Sequence, residues 1–302
     1  MREIEIGRTQ SLEVLRRVPM GIFLGDPDDP EGAVLLPRRW VPSGVELGDV
    51  LDVFVYTDSE DRPIATTDRP IGEVGDFATL EVVSANRSGV FLDWGLPKDL
   101  LLPFKHQLGR ARRGDRLVVY IDLDPHTARP IASQKVERVM GVPPSGLAVG
   151  QAVDVLIYEK TDLGFKAIVE QSFPGLIYSA DVAGAAPNAA RSDLTVGARL
   201  TGYVQQIRDD GKIDLGLHPS GRAGADLARE RVLAELTERN GRLELTDRSD
   251  PDEIHRVLGL SKKAFKRAIG GLYRDRLVRL TDTAVERTDA ELSESRHGSS
   301  SD

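Results

Sequence analysis

The sequence predicts a mostly β protein in which three small five-stranded barrels are followed by a C-terminal α+β domain. The first observation is a unit that occurs three times: a short strand that opens on Gly and carries an aromatic residue, followed by a second short apolar strand. These units begin at Gly21, Gly89 and Gly164. A further Gly and another strand follow each unit, at Gly48, Gly114 and Gly197. The second observation is that the apolar periodicity changes from 2 to about 3.6 residues after residue 220.

The middle repeat shows its strands directly. They are predicted at residues 76–86, 89–94, 100–103, 115–123 and 129–134. Five short strands in a segment of this size are typical of an OB-type barrel, and apolar and polar residues alternate along them as a barrel wall requires. The same order predicts domain boundaries for the other two repeats. The three barrels are predicted at 1–67, 68–140 and 147–217, the last after a Pro/Gly linker and with a small-residue insert at 183–190.

Residues 222–288 are predicted to form a winged helix-turn-helix, because the elements follow the order of that fold. The first helix carries its apolar face on Leu227, Val232, Leu233 and Leu236 and ends near Asn240 and Gly241. Two further helices begin after the N-cap candidates Asp250 and Ser261, and two short strands follow at 277–280 and 284–287. The tail 289–302 has few residues to bury and is predicted to be disordered.

Composition narrows the possible functions. The chain of 302 residues contains no Cys, which excludes disulfides, thiolate metal sites and a Cys nucleophile. It opens without an apolar signal segment and has no long apolar run, so a cytoplasmic protein without a membrane segment is expected. The net charge of −8 is unevenly distributed, because residues 222–288 hold 15 Lys and Arg against 12 Asp and Glu. Contacts with phosphate groups are therefore expected to be local.

Catalytic and cofactor motifs are missing from the sequence. The five His residues are scattered, without the spacing of a zinc site, and neither a phosphate-binding loop nor a dinucleotide fingerprint occurs. Acidic pairs such as Asp28 with Asp29 fall in predicted turns, where solvation explains them. We therefore expect a protein that is not an enzyme and that has no cofactor and no metal site.

Aromatic residues on the second strand of each barrel are candidates for stacking on nucleobases. One exposed aromatic ring stacked on a base contributes about 1–3 kcal/mol without demanding a particular base. The alternative is that such a ring belongs to the core, and for Phe91 the two readings are evenly balanced. Trp40 and Trp94 are expected to pack between domains. The candidates in the middle barrel and its return strand are Phe91, Phe104, Lys105 and His106.

A basic face on the third C-terminal helix is the second candidate surface. Lys262, Lys263, Lys266 and Arg267 lie opposite the apolar residues of that helix. Such a face is often merely solvated. Because this helix is the one that a winged helix presents to nucleic acid, phosphate contacts are the favoured interpretation.

The segment from Gly89 to Leu92, followed by residues 100–103, resembles the second and third strands of the ribosomal S1-type RNA-binding domain, an OB fold. The order of three such barrels and a winged helix resembles the bacterial conserved virulence factor B family of RNA-binding regulators. The resemblance implies stacking by the second-strand aromatics Phe23, Phe91 and Phe165, and basic residues near the last strand of each barrel, with Arg129 and Lys212 among them. The third-strand His of S1 domains is replaced by Pro37, Pro103 and Tyr178.

We therefore expect a non-catalytic protein that binds single-stranded RNA, with mRNA or the ribosome as candidate partners, and regulates gene expression post-transcriptionally. Two other functions stay open. One is a DNA-binding transcription regulator led by the winged helix, and the other is an adaptor whose acidic barrels bind the ribosome or a nuclease. The sequence does not indicate the oligomeric state.

Overall fold

The computed structural model describes residues 4–143, 146–179, 194–219 and 221–288. The chain divides into two compact units, residues 1–139 and 140–302, and each is described by itself. The predicted insert at 183–190 and the predicted disordered tail at 289–302 lie outside the described residues. None of the described helices is long and apolar enough to cross a membrane.

Three closed five-stranded barrels confirm the predicted fold class. The first contains β1 (Arg8–Val18), β2 (Gly21–Asp26), β3 (Asp29–Pro37), β4 (Val50–Thr57) and β5 (Pro63–Thr66). The second contains β6 (Phe77–Ala85), β7 (Gly89–Asp93), β8 (Leu100–Pro103), β9 (Arg116–Leu123) and β10 (Pro130–Ser133). The third contains β11 (Ala152–Lys160), β12 (Gly164–Val169), β13 (Phe173–Tyr178), β14 (Arg199–Ile207) and β15 (Ile213–Gly216).

All three barrels share one topology. Each closes in the order first, second, third, fifth and fourth strand, and its third and fifth strands pair in parallel while the other pairs run antiparallel. The first strand of each barrel also shifts register once against the second, after Val14, Val82 and Ile157. A bulge at this place bends the strand and helps a short sheet to close on itself.

The glycines that open the second strands are required by a close backbone contact. Gly21, Gly89 and Gly164 have φ values of 158°, 159° and 149°. A Cβ atom at these positions would lie 2.0, 2.2 and 2.0 Å from the carbonyl oxygens of Leu36, Leu102 and Ile177. Because no side chain fits against a backbone oxygen at such a distance, the repeated Gly marks the point where the third strand returns beside the second.

The first two barrels are joined by aromatic residues. Phe54 and Tyr56 of β4 point away from their own barrel and are buried in one cluster with Trp94 of the second barrel. The rings of Phe54 and Trp94 meet edge to face with centroids 5.6 Å apart. Trp94 therefore packs between domains, as predicted. The prediction was wrong for Trp40, which packs against the core of the first barrel and donates from Nε1 to Asp68 at 2.7 Å.

The C-terminal domain has the predicted order of elements. It contains α1 (Gly221–Glu238), β16 (Arg242–Leu243), α2 (Pro251–Leu258), α3 (Lys262–Arg274), β17 (Val278–Leu280) and β18 (Val285–Arg287). The three strands form one sheet in the order β16, β18, β17.

Local side-chain chemistry sets the boundaries of these helices. The Asp250 carboxylate accepts from the Asp252 amide at 2.8 Å, and Ser261 Oγ accepts from the Ala264 amide at 3.2 Å, so both predicted N-caps are present. Asn240 and Gly241 end α1 with φ values of 55° and 86°. The helices and the sheet enclose a single apolar core.

Candidate nucleic-acid interface

An outward-facing row of apolar residues crosses the second, third and fifth strands of the first two barrels. In the first barrel the row is Phe23, Leu35 and Ile64, and in the second it is Phe91, Leu101 and Ile131. With the exception of the exposed Pro63, the neighbours of these residues along each strand are buried, whereas every member of the row except Ile131 keeps part of its surface exposed. The partly exposed members form an apolar strip on which a nucleobase can stack.

Phe91 is half-buried and lines a cleft of about 380 Å³ in the unit formed by the first two barrels. The second barrel also contributes Leu101 and Ile131 to the walls, and Tyr56 of the first barrel lines the cleft as well. Small-molecule sites typically measure about 300–1,000 Å³, so this volume suits a group of the size of a nucleobase.

Phe23 differs from Phe91 in its immediate surroundings. The Arg16 guanidinium lies over the Phe23 ring, with the central carbon 4.0 Å from the ring centroid. A cation above a ring is attracted to its π-face. A base that stacks on Phe23 would therefore contact the Arg16 guanidinium as well as the ring.

Two cations beside the cleft connect the barrels. Lys98 Nζ donates to the carbonyl oxygen of Asp58 at 2.6 Å and lies 3.8 Å from the Asp61 carboxylate. Burial lowers the pKa of Lys98, and the charge of Asp61 partly offsets this effect. Arg129, a predicted RNA-binding residue, forms an ion pair with the same Asp61. Arg129 would have to share this partner in order to contact a phosphate.

The residues after the third strand of the second barrel, Phe104–His106, form a single 3-10 turn. The Phe104 side chain is 56% exposed, and Lys105 Nζ lies 4.0 Å from the Asp124 carboxylate. Burial lowers the pKa of His106, as do the charges of Lys105 and Lys135. These effects make the His106 imidazole harder to protonate than a free histidine side chain.

Acidic residues in the turn before the last strand of each barrel accept hydrogen bonds that stabilise these turns. Hydrogen bonds from Arg62 hold the pKa of Asp58 below its usual value, although partial burial opposes them. A hydrogen bond from the His126 amide likewise lowers the pKa of Asp124. Hydrogen bonds from Lys212 lower the pKa of Asp210, whose carboxylate lies 3.0 Å from Lys212 Nζ. Lys212 is thus exposed but already paired.

The basic face of α3 is only partly available. Lys262 Nζ donates to the Ser249 carbonyl at 2.8 Å and so holds the preceding loop. Lys266 Nζ lies 3.7 Å from Asp247. Lys263 and Arg267 are exposed, and within the described part of the chain neither forms an ion pair. These two residues are the clearest candidates for phosphate contacts on this helix.

Two family models match the chain. A CvfB-like winged helix domain matches residues 230–286, and an S1 domain matches residues 6–68. The uncharacterized protein YitL of Bacillus subtilis is 29% identical over 276 residues, which cover 89% of each protein. Conserved virulence factor B of Staphylococcus aureus strain N315 is 25% identical over 244 residues, which cover 78% of each. The predicted resemblance to the conserved virulence factor B family is confirmed.

A solved structure aligns with most of the chain. It is a multidomain protein with nucleic acid binding domains from Streptococcus pneumoniae, with 20% identity, a TM-score of 0.41, and coverage of 94% of this chain and 99% of that chain. S1 domains and winged helices are both folds that commonly bind nucleic acid, so the chain combines two kinds of nucleic-acid-binding fold.

The third barrel departs from the first two. Phe165 is only 9% exposed and belongs to the barrel core, which corrects the prediction that it stacks on a base. It follows Gly164 directly and so occupies the inward position of Ile22 and Val90. The outward position is taken by Lys166, which pairs with Glu159 at 2.8 Å.

Sequence reasoning missed a polar cluster on this barrel. The Arg208 guanidinium bonds to the Tyr178 hydroxyl and to the Asp214 carboxylate, the latter from Nε at 2.9 Å. Tyr178 pairs with Gly164 at the position where Pro37 pairs with Gly21 in the first barrel. The Tyr in place of Pro is visible in the sequence and could have indicated a polar cluster here. The cluster borders a cleft of about 480 Å³ that the winged helix also lines, through Arg231 and Ser261.

The predicted site residues therefore fall into separate groups. Phe91 and Arg129 share one cleft, while Phe23 lies on the row of the first barrel and Phe104, Lys105 and His106 lie on the turn after β8. Lys212 and the α3 cations belong to the other unit. Among the described residues, no cluster of three or more His, Asp or Glu side chains is placed to hold a metal ion.

Proposed function

We propose that this protein binds single-stranded RNA through its OB barrels and through the basic helix of its winged helix, and that it regulates gene expression post-transcriptionally. The observation that carries the proposal is the position of Phe91, which is half-buried at an outward position of β7 inside an apolar cleft. A ring in such a place can stack on an unpaired base, whereas the bases of a duplex stay stacked within the helix.

The charge distribution supports a division of roles between the domains. The chain carries a net charge of −8, so at long range it repels a polyanion. Apolar stacking acts at contact distance and does not depend on long-range attraction. The exposed Lys263 and Arg267 on α3 can supply phosphate contacts, which strengthen binding by releasing counterions.

A role in regulation follows from the kinds of domain present. The matched domains belong to folds that hold nucleic acid by its bases and backbone. A protein that holds an mRNA in this way changes which other factors reach it. This effect is the basis for the post-transcriptional part of the proposal.

A second candidate function is binding of duplex DNA. It is favoured by one observation, the exposed pair Lys263 and Arg267 near the start of α3. In a helix-turn-helix protein the second helix of the motif enters the major groove, and its first residues contact the bases.

A competition experiment decides between these functions. A labelled single-stranded RNA of about 12 nucleotides, within the range that one OB fold covers, is bound to the full chain and displaced by unlabelled single-stranded RNA, duplex RNA or duplex DNA at two salt concentrations. We expect single-stranded RNA to compete best. Equal or tighter binding of duplex DNA at physiological salt would contradict the proposal. If the chain binds no nucleic acid but captures a protein partner at both salt concentrations, the result would favour an adaptor.

A further inference from the structure

The cleft that contains Phe91 also contains a carboxylate that has no partner among the residues described by the structure. The charged residues that line the cleft are Lys98, Asp99, Asp124 and Arg129. Lys98 and Arg129 are engaged by Asp61, and Asp124 accepts from the His126 amide at 3.0 Å. Within the ranges that the structure describes, Asp99 forms neither a hydrogen bond nor an ion pair, so both of its oxygens are available to a ligand.

The surroundings of Asp99 favour a ligand that donates hydrogen bonds. Burial raises the pKa of Asp99, and the nearby negative charge of Asp93 raises it further. A carboxylate that has lost part of its hydration without gaining a partner is stabilised strongly by N–H donors. A phosphate group would be repelled at the same place. The cleft therefore suits the base of a nucleotide better than its backbone.

The loop that carries Asp99 is held in place before any ligand binds. Trp94 Nε1 donates to the Lys98 carbonyl at 2.6 Å, and the Trp94 carbonyl accepts from the Ile71 amide at 2.8 Å. Trp94 itself is anchored against Phe54 of the first barrel. Little reorganisation is needed when a base enters, which favours selective binding.

We propose that the cleft between the first two barrels is a guanine-selective subsite, in which the base stacks on Phe91 and its N1–H and N2–H groups donate to Asp99. The proposal rests on the proposed function, binding of single-stranded RNA, and adds to it a base preference at one position. Stacking alone accepts any base, so the selectivity comes from the carboxylate.

The hydrogen-bonding edges of the four bases explain the choice. Guanine presents two adjacent N–H donors on its Watson–Crick edge, which match the two oxygens of one carboxylate. Adenine and cytosine each offer one amino group beside a ring-nitrogen acceptor. Uracil offers a single N–H group that lies between two carbonyl oxygens. A carboxylate repels these oxygens. The expected order of affinity is guanine first, then adenine and cytosine, with uracil last.

The test uses oligouridine of about 12 nucleotides, with and without one central guanosine, titrated against the full-length protein. The wild type should bind the guanosine-containing strand about tenfold more tightly or better, the effect of one good bidentate pair. D99N, which replaces one acceptor oxygen with a donor amide, should reduce this ratio to about twofold or less while oligouridine is bound at least as tightly as by the wild type. Retained oligouridine binding also shows that the variant is folded.

D49N is the matched control. The Asp49 side chain is exposed and does not line the cleft, and the Asn oxygen can still accept from the Glu46 amide, as Asp49 does at 2.7 Å. This variant should keep the preference for guanosine. If the wild type binds both strands equally, or if D99N keeps the full ratio, the guanine subsite is refuted while RNA binding stands. If the wild type binds neither strand, the proposed function itself fails.

Discussion

Replacing Phe91 with Ala separates a stacking role from a core role, because the two roles make opposite demands on stability. If Phe91 stacks on a base, its removal should cost about 1–3 kcal/mol of RNA binding. At about 1.4 kcal/mol for each tenfold change in affinity, this corresponds to binding that is about 5- to 150-fold weaker.

The loss of fold stability should be smaller than for a core ring. A fully buried Phe changed to Ala costs about 3–5 kcal/mol, which includes the energy of the cavity left behind. Phe91 is half-buried and already borders an open cleft, so its removal leaves no closed cavity. We therefore expect the free energy of unfolding to fall by about 1–2 kcal/mol.

Phe77 provides a control of the same residue type in the same barrel. It is only 2% exposed, and its ring packs 5.0 Å from that of Tyr120. Phe77→Ala should lower the free energy of unfolding by about 3–5 kcal/mol while the folded fraction keeps its affinity for RNA. Urea unfolding followed by circular dichroism measures stability, and fluorescence anisotropy with labelled RNA measures affinity. Unchanged RNA affinity in Phe91→Ala, or a loss of stability equal to that of Phe77→Ala, would refute the stacking role.

Three further predictions concern other parts of the chain. The double change of Lys263 and Arg267 to Ala should reduce the slope of log affinity against log salt by about 0.7 for each lost phosphate contact, and an unchanged slope would mean that this face is merely solvated. Trp94→Ala should lower the free energy of unfolding by about 3–5 kcal/mol in urea titrations, because the ring is 3% exposed between two barrels. Burial and the charge of Arg231 lower the pKa of His218, so this residue should contribute stability above about pH 6.5 that is lost as the pH falls through its folded pKa. The melting temperature of His218→Gln should then fall less than that of the wild type between about pH 7.5 and 5.5, and an equal fall would contradict the prediction.

The repeat of glycines and apolar strands was sufficient to predict the barrels. Gly21, Gly89 and Gly164 are needed because the backbone of the third strand passes too close for a side chain. The Gly is therefore present in all three repeats, although the residues around it differ between them. The N-caps at Asp250 and Ser261 were predictable for a similar reason, because capping depends on residues that are close along the chain.

The assignment of individual side chains to functions was less predictable. Phe165 has the expected residue type but lies one position nearer to its Gly, and since successive strand residues face opposite sides of a sheet, this shift moves the ring into the core. Lys262 shares a predicted face with Lys263, yet its ammonium group caps backbone carbonyls of the preceding loop. Neither outcome follows from residue type alone.

The sequence by itself determined the number of barrels and the winged helix, because these depend on short-range periodicity and on backbone conformation. Only the tertiary structure decided that Phe54 and Tyr56 of one barrel pack on Trp94 of the next, and that Asp99 has no partner among the described residues in the cleft beside them. Contacts between residues about 40 positions apart in different barrels leave no periodic trace in the sequence, because each residue type there would suit many other surroundings equally well.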